Sequence, residues 1–252
     1  MIIDYKIRYK VKVLLEGVEM IVSGRNNVKE ILKNFNQDFG VKRAICQKNF
    51  NENDILSLIK MHNIPLFFEE KAKLDNLAKN NHQGVILEVR DFDYSELDDI
   101  IGNKERCFVL ILDHLEDPHN LGAIVRTCEA AGVDGIVLPL NRSVSVNETV
   151  MKTSVGALYN VKISQVTNLN NTIKYLKKQG FWIVGADMDG ESYNDMKYPE
   201  KCALIIGSEG FGMTRMVKES CDFVVSIPMH GKVNSLNASV AAGVLIYEVI
   251  KR

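Results

Sequence analysis

The chain has 252 residues, 46% hydrophobic and 25% charged, with a formal net charge of -1; this profile excludes disordered and fibrous classes and allows one large domain or two modest ones. No run reaches the ~20 apolar residues of a membrane span, and the N-terminus, MIIDYKIRYKVKVLL, lacks the apolar core and small-residue cleavage site of a secretory signal. The five cysteines (Cys46, Cys107, Cys128, Cys202, Cys221) are odd in number, scattered and without a CxxC pair, which argues against a disulfide framework or a metal site and for a reducing cytoplasm.

Residues 5 to 13 alternate strictly, Tyr5, Ile7, Tyr9, Val11 and Val13 against Lys6, Arg8, Lys10 and Lys12, which predicts a strand with one cationic face, read as a charged edge before a nucleic-acid platform. Short β-branched runs then alternate with helical stretches: strands at Met20 to Val22, Val41 to Cys46, Pro65 to Phe68 and Gly84 to Val89, helices at Asn27 to Asn34 and Asp54 to His62. This is a small α/β unit over residues 1–90. Residues 1–80 hold 14 Lys and Arg against 10 Asp and Glu, leaving 17 against 22 for the rest, a split that fits solvated faces or a basic RNA-facing module. Charge rises and apolar content falls from Arg90 to Asp99, so a linker is placed at 91–104.

In the second half, strands are predicted near Phe108 to Leu112, Gly135 to Leu138, Val161 to Val166, Phe181 to Ala186, Ala203 to Ile206 and Phe223 to Ile227. Helices begin near Pro118, Asn147, Leu169 and Met213, and a last one runs from about Ser235. VLIL, CALIIG and FWIVGA are apolar on both faces, as central parallel strands covered by helices are. The architecture is a doubly wound α/β domain over 105–252.

Ligands of such sheets collect beyond the carboxyl ends of the strands, and three segments stand there. Asp117 to Gly132 (DPHNLGAIVRTCEAAG) opens a helix with Asn120 and Arg126 near its start and Gly132 at its αL cap; taken alone, these two read as a cap and a surface cation. Leu204 to Met213 (LIIGSEGFGM) is a glycine-dense strand-to-helix loop with Glu209 inside it. It lacks the Lys-Ser/Thr pair of a phosphate loop and the GxGxxG order of a dinucleotide fingerprint, which sets a nicotinamide-dependent dehydrogenase aside. Ser226 to Gly243 (SIPMHGKVNSLNASVAAG) ends a strand at Pro228 and opens a helix at Ser235 or Asn237, with Ala238, Ala241 and Ala242 permitting close packing.

Together NLGAIVRT, IGSEGFG and IPM followed by SLNASVA resemble the three motifs of the SpoU (TrmH) family in the SPOUT class of RNA methyltransferases, over about residues 106 to 252. IVSGRNNVKEIL (Ile21 to Leu32) and His82-Gln83-Gly84-Val85 resemble the auxiliary domain of the bacterial 23S rRNA guanosine-2′-O-methyltransferase subgroup, an L30e-like RNA binder. The strand Tyr5 to Val13 precedes the start of that resemblance.

The resemblance implies an α/β SPOUT domain with a parallel sheet and a deep trefoil knot, an RNA partner and S-adenosyl-L-methionine as methyl donor. The donor would be lined by Gly207, Ile227 and Leu236 with Met229 and Gly210 nearby. Asn120, Arg126, Glu209, Ser235 and Asn237 carry over as the polar site. It implies a homodimer packed through knot-region helices, and transfer to a ribose 2′-hydroxyl of rRNA, a guanosine in 23S rRNA foremost. The alternatives are the same chemistry on tRNA, or a non-catalytic RNA-binding ribosome-assembly protein. Arg126 is expected at the hydroxyl or the adjacent phosphate, for orientation and charge stabilisation, because a guanidinium keeps its proton in proteins. DNA lacks the reacting hydroxyl.

Overall fold

The computed structural model describes residues 20–33, 35, 40–78 and 81–251; the strand expected at Tyr5 to Val13 lies outside them. The chain divides into two compact units, Met1–Asp93 and Tyr94–Arg252.

In the first unit, β1 (Met20–Ser23), α1 (Arg25–Lys33), β2 (Val41–Gln47), α2 (Asn53–Met61), β3 (Leu66–Glu69), α3 (Lys71–Leu77) and β4 (Val85–Val89) follow one another. The sheet order is β1-β4-β2-β3. β4 runs antiparallel to β1 and β2, and β3 parallel to β2, so β1, β2 and β3 share one direction. Helix α1 starts at Arg25, two residues before the expected Asn27, and buries Val28, Ile31 and Leu32, the 3.6-residue spacing that puts them on one face. Glu88 is buried in β4, and its carboxylate is gripped bidentately by Arg43 of β2, at 2.5 and 3.0 Å, which offsets the cost of taking the charge out of water.

The second unit contains α4 (Leu97–Ile101), β5 (Cys107–Asp113), α5 (Pro118–Ala131), β6 (Gly135–Pro139), α6 (Glu148–Ser154), a 3-10 turn (Ala157–Asn160), β7 (Ile163–Val166), α7 (Leu169–Lys178), β8 (Trp182–Ser192), β9 (Lys201–Gly207), α8 (Arg215–Lys218), β10 (Phe223–Ser226) and α9 (Ala238–Ile250). Its six strands are all parallel, in the order β10-β8-β9-β5-β6-β7. The chain winds outward from β5 through β6 to β7, then returns to the other side of β5 through β8 and β9. This change of direction sends helices to both faces of the sheet. Val109 and Ile111 pack with α4, α7 and α8, while α9 packs on α5 and β9.

Boundaries in the second unit also differ from the sequence expectation. The segment 91–104, expected as a linker, carries α4, with Ile100 and Ile101 buried; Tyr94 accepts from the Val146 amide and the Ser95 amide donates to Ile163. Ile100 lies so close to β6 that a Cβ at Gly135 would stand 2.6 Å from it. Charge on the exposed side of this short helix hid its apolar pair. The helix expected at Met213 is a single turn from Arg215, because Met213 is buried against Gly185 instead. The last helix begins at Ala238 rather than Ser235, with Asn237 as its cap. Among the described residues no helix is long and apolar enough to cross a membrane.

Candidate active site

The sheet reverses its winding at β5 and β9, which pair in register up to Asp113 and Gly207. Such a reversal leaves a crevice beyond the carboxyl ends of the strands, since the following loops part to opposite faces.

The β9 loop is held from below. Asp113 is fully buried, and its Oδ2 accepts the Thr214 amide at 2.7 Å while its Oδ1 meets His114 Nδ1 at 2.5 Å. Between these anchors Ser208 and Gly212 exchange two backbone hydrogen bonds, 3.1 and 2.9 Å, closing a tight hairpin. A Cβ on Gly207 would fall 2.0 Å from the Gly212 carbonyl carbon, so only glycine fits there, and Gly210 at the tip takes φ 85.

The hairpin presents Glu209 to the other two motifs. Its Oε1 accepts Asn120 Nδ2 at 2.9 Å, Asn237 Nδ2 at 2.6 Å and the Ala238 amide at 3.1 Å. Asn237 also donates to Asn120 Oδ1 at 2.9 Å. Each motif thus contributes one corner of a closed polar triangle, set at the start of α9, where the helix dipole favours a negative group. Asn237 Oδ1 meanwhile caps α9 through Ser239 and Val240. Among the described residues nothing hydrogen-bonds to Glu209 Oε2, so one carboxylate oxygen is saturated and the other is available to a ligand.

Asn120 is not the helix cap that its position suggested. Asp117 caps α5 by accepting the His119 amide at 2.9 Å, and Asn120 sits in the first turn, 5% exposed, aimed at Glu209. Gly132 ends the helix in the αL conformation, as expected.

The structure does not bring Arg126 to this triangle. It is exposed on α5, six residues on from Asn120, which is about 240° round the helix and about 9 Å along it. Among the described residues no hydrogen bond or ion pair engages its guanidinium, nor the exposed Ser235 side chain. Ile227 and Met229 follow β10, Leu236 precedes the α9 cap, and all three are partly buried. Asp113 and Thr214 are not among the expected site residues of the three motifs. The available signal was an acid closing the otherwise apolar run CFVLILD, where a carboxylate must find donors once buried.

Comparison with known proteins adds to this geometry. The model of the SpoU rRNA Methylase family matches residues 107–247, and a model described as RNA 2'-O ribose methyltransferase substrate binding matches residues 21–95. A Bacillus subtilis protein named as a TrmH family tRNA/rRNA methyltransferase is 43% identical over 236 residues, 92% of this chain and 95% of that one. One of the same name from Staphylococcus haemolyticus is 43% identical over 241 residues, 93% and 96%. The SpoU methyltransferase AviRb from Streptomyces viridochromogenes, in complex with AdoMet, shares the fold at a TM-score of 0.76 and 21% identity, over 97% of this chain and 91% of that one. An AdoMet-bound rRNA methyltransferase from Sinorhizobium meliloti does so at 0.72 and 21%, over 98% and 90%. With one family model spanning more than half of its length and relatives matching nearly end to end, the chain belongs to the SpoU rRNA Methylase family of RNA methyltransferases.

Proposed function

We propose that the protein transfers a methyl group from S-adenosyl-L-methionine to a ribose 2′-hydroxyl of rRNA, a guanosine of 23S rRNA foremost, in the cytoplasm, where its five free thiols fit. The observation that carries this reading is the shared Glu209 oxygen, which ties one residue of each motif together at the sheet's reversal point.

The residues at the strand ends suit the donor. Partly buried Ile227, Met229 and Leu236 offer apolar contact, Gly207 and Gly210 offer backbone without side chains, and Glu209 keeps one oxygen for a hydroxyl or an ammonium group. When bound, S-adenosylmethionine supplies a methyl carbon on a sulfonium. The chain's part is to hold a sugar oxygen in line behind that carbon and to exclude water. Glu209, fixed by three donors, can orient the ribose without reorganising, while Ser235 stands in the loop before the α9 cap as a further contact.

Arg126 needs a different placement. We assign it to the site of a second copy in a homodimer, because within one chain it points about 120° away from the Asn120 face. α5 and α9 adjoin at Thr127 and Gly243, and α9 exposes Val240 and Tyr247, one heptad apart, the kind of apolar stripe that a two-fold interface would cover. There the guanidinium would meet the RNA phosphate or the reacting oxygen as a fixed cation. The knot implied by the resemblance accords with the return of Asn237 across the β5 and β9 loops. Residues 1–90 serve as the RNA-binding auxiliary domain, in keeping with the substrate-binding model matched there.

The test is incubation of the purified protein with tritiated S-adenosylmethionine and either undermodified 23S rRNA or tRNA, followed by nuclease digestion and mass spectrometry. A 2′-O-methylated guanosine in the rRNA supports the reading, label in tRNA moves the substrate, and no label in either removes the activity.

A further inference from the structure

Two segments that the transfer chemistry leaves unused, the Gly24-Arg25-Asn26 start of α1 and the His82-Gln83-Gly84 turn before β4, meet in the first unit around a cleft of about 670 Å3. The volume lies within the ~300–1,000 Å3 span of small-ligand sites. The cleft lies where β1, β2 and β3 all end, the edge of an α/β sheet at which ligands collect.

Its walls are built rather than incidental. Gln83 and Gly84 both take positive φ, 50 and 85. The buried His82 ring holds this turn: Gly84 N–H donates to Nδ1 at 2.9 Å, so the proton sits on Nε2, which donates to Asp75 Oδ1 at 2.9 Å. Gln83 then binds Arg25 twice, Oε1 accepting the Arg25 amide at 2.8 Å and the carbonyl accepting Nε at 3.2 Å. Arg25 Nη1 donates to Glu52 at 2.6 Å, and the guanidinium lies 5.7 Å over the Phe50 ring. The result is a fixed cationic plate, backed by an aromatic ring, with its side chain 49% exposed.

Around this plate stand groups with nothing to do within the fold. Among the described residues, the side-chain amides of Asn26, Gln47 and Asn49 and the ammonium of Lys71 make no hydrogen bond or ion pair. A carboxamide offers donor and acceptor side by side, the pattern of a nucleobase edge. Guanidinium planes stack on unpaired bases, and a lysine meets a phosphate as a point charge. Phe50 is the only apolar side chain among the described lining residues, so an apolar ligand finds no wall to bury against.

We propose that this cleft takes one unpaired nucleotide of the RNA substrate, its base stacked on Arg25 and read by Asn26, Gln47 and Asn49, its phosphate met by Lys71. The assignment rests on the reading of the protein as an RNA methyltransferase and locates a recognition site separate from the transfer site. A paired base cannot enter, because its edge is engaged and the A-form major groove is too narrow for side chains.

The test uses the full chain and a fluorescein-labelled single-stranded RNA of about twenty nucleotides, longer than a typical single-strand site, alone or annealed to its complement. Asn49→Ala and Lys71→Glu should each weaken single-strand binding about tenfold by anisotropy, whereas Lys33→Glu, at the far end of α1, should change it less than about threefold. All three should keep the circular-dichroism spectrum and urea-unfolding curve of the parent, which shows that the first unit is folded. Single-strand affinity unchanged in both cleft variants, equal affinity for the duplex, or no RNA binding by the parent overturns the proposal. Failure of the parent to methylate any RNA removes the catalytic reading instead, and the binding measurement is unaffected by that result.

Discussion

Asn237 Nδ2 lies 2.6 Å from Glu209 Oε1, and the same oxygen receives the Asn120 amide and the first backbone N–H of α9. Removing that oxygen leaves the Nδ2 of Asn120, a residue only 5% exposed, without its acceptor. Glu209→Ala is therefore expected to lower the stability of the second unit by about 1–3 kcal/mol and turnover by at least about a hundredfold, through misplacement of the ribose. Urea unfolding followed by circular dichroism and single-turnover transfer measure the two effects. Parent-like turnover would detach Glu209 from the reaction.

Asn237 combines two tasks, capping α9 and bridging Glu209 to Asn120. Asn237→Ser keeps a cap and should cost little in helix stability, while Asn237→Ala loses about 1 kcal/mol for the cap alone. Asn237→Asp sets a second carboxylate against Glu209, so one of the pair is raised in pKa in the folded state. That cost is absent where both acids are protonated in the unfolded chain and grows as pH rises through the raised value. Melting curves at pH 5 and pH 8 should show Asn237→Asp losing more stability on alkalinisation than Asn237→Ala; parallel curves would contradict the contact.

The proposed action of Arg126 in the site of a second copy makes a mixing experiment decisive. Arg126→Ala and Glu209→Gln should each be inactive while binding S-adenosylmethionine. Refolded together, they should regain up to about a quarter of parental activity, since half of the dimers are mixed and each mixed dimer holds one intact site. Arginine action within a single chain predicts no recovery.

Asp113 reaches no ligand in the proposed chemistry and acts through the β9 loop, whose Thr214 amide it accepts at 2.7 Å. Asp113→Asn keeps an acceptor for Thr214 but sets an amide donor against His114 Nδ1, so His114 must take the other tautomer and the buried charge is lost. Weaker S-adenosylmethionine binding, by about tenfold, is expected alongside a stability loss of about 1–3 kcal/mol. Calorimetry that finds unchanged affinity would show that the loop holds its shape without this anchor.

Burial pushes the thiols of Cys46 and Cys107 up from 9.0 to about 12. The fold thus holds the thiol protons more tightly than the unfolded chain does. Their stability contribution is complete below pH 9.0 and is lost as pH climbs toward about 12, at up to about 1.4 kcal/mol per pH unit for each thiol. Urea midpoints taken between pH 8 and pH 11 should fall less steeply in a Cys46→Ala, Cys107→Ala variant; equal slopes would contradict the shift.

Much of this fold was legible because its signals are local. VLIL and CALIIG are apolar on both faces, and they are the central strands β5 and β9. Val28, Ile31 and Leu32 are spaced for one helical face and are buried together. Helix α4 escaped because five residues are too few for a periodic pattern and its Asp98 and Asp99 resemble a linker. Met213 looked like a helix start because glycines precede it, yet the space under Gly185 holds it in the core.

The sequence by itself determined which residues are candidates for the chemistry: Asn120, Glu209 and Asn237 stand in three motifs whose order points to one family. Only the tertiary structure decided their relation, because residues 89 and 117 positions from Asn120 reach it through a sheet reversal and a folded-back hairpin, which no local pattern encodes. It likewise separated Arg126 from the triangle, since helical phase places it on another face of α5 whatever its motif suggests. Chain order names the groups that can react; strand order and helix phase, set by long-range burial, determine which of them meet.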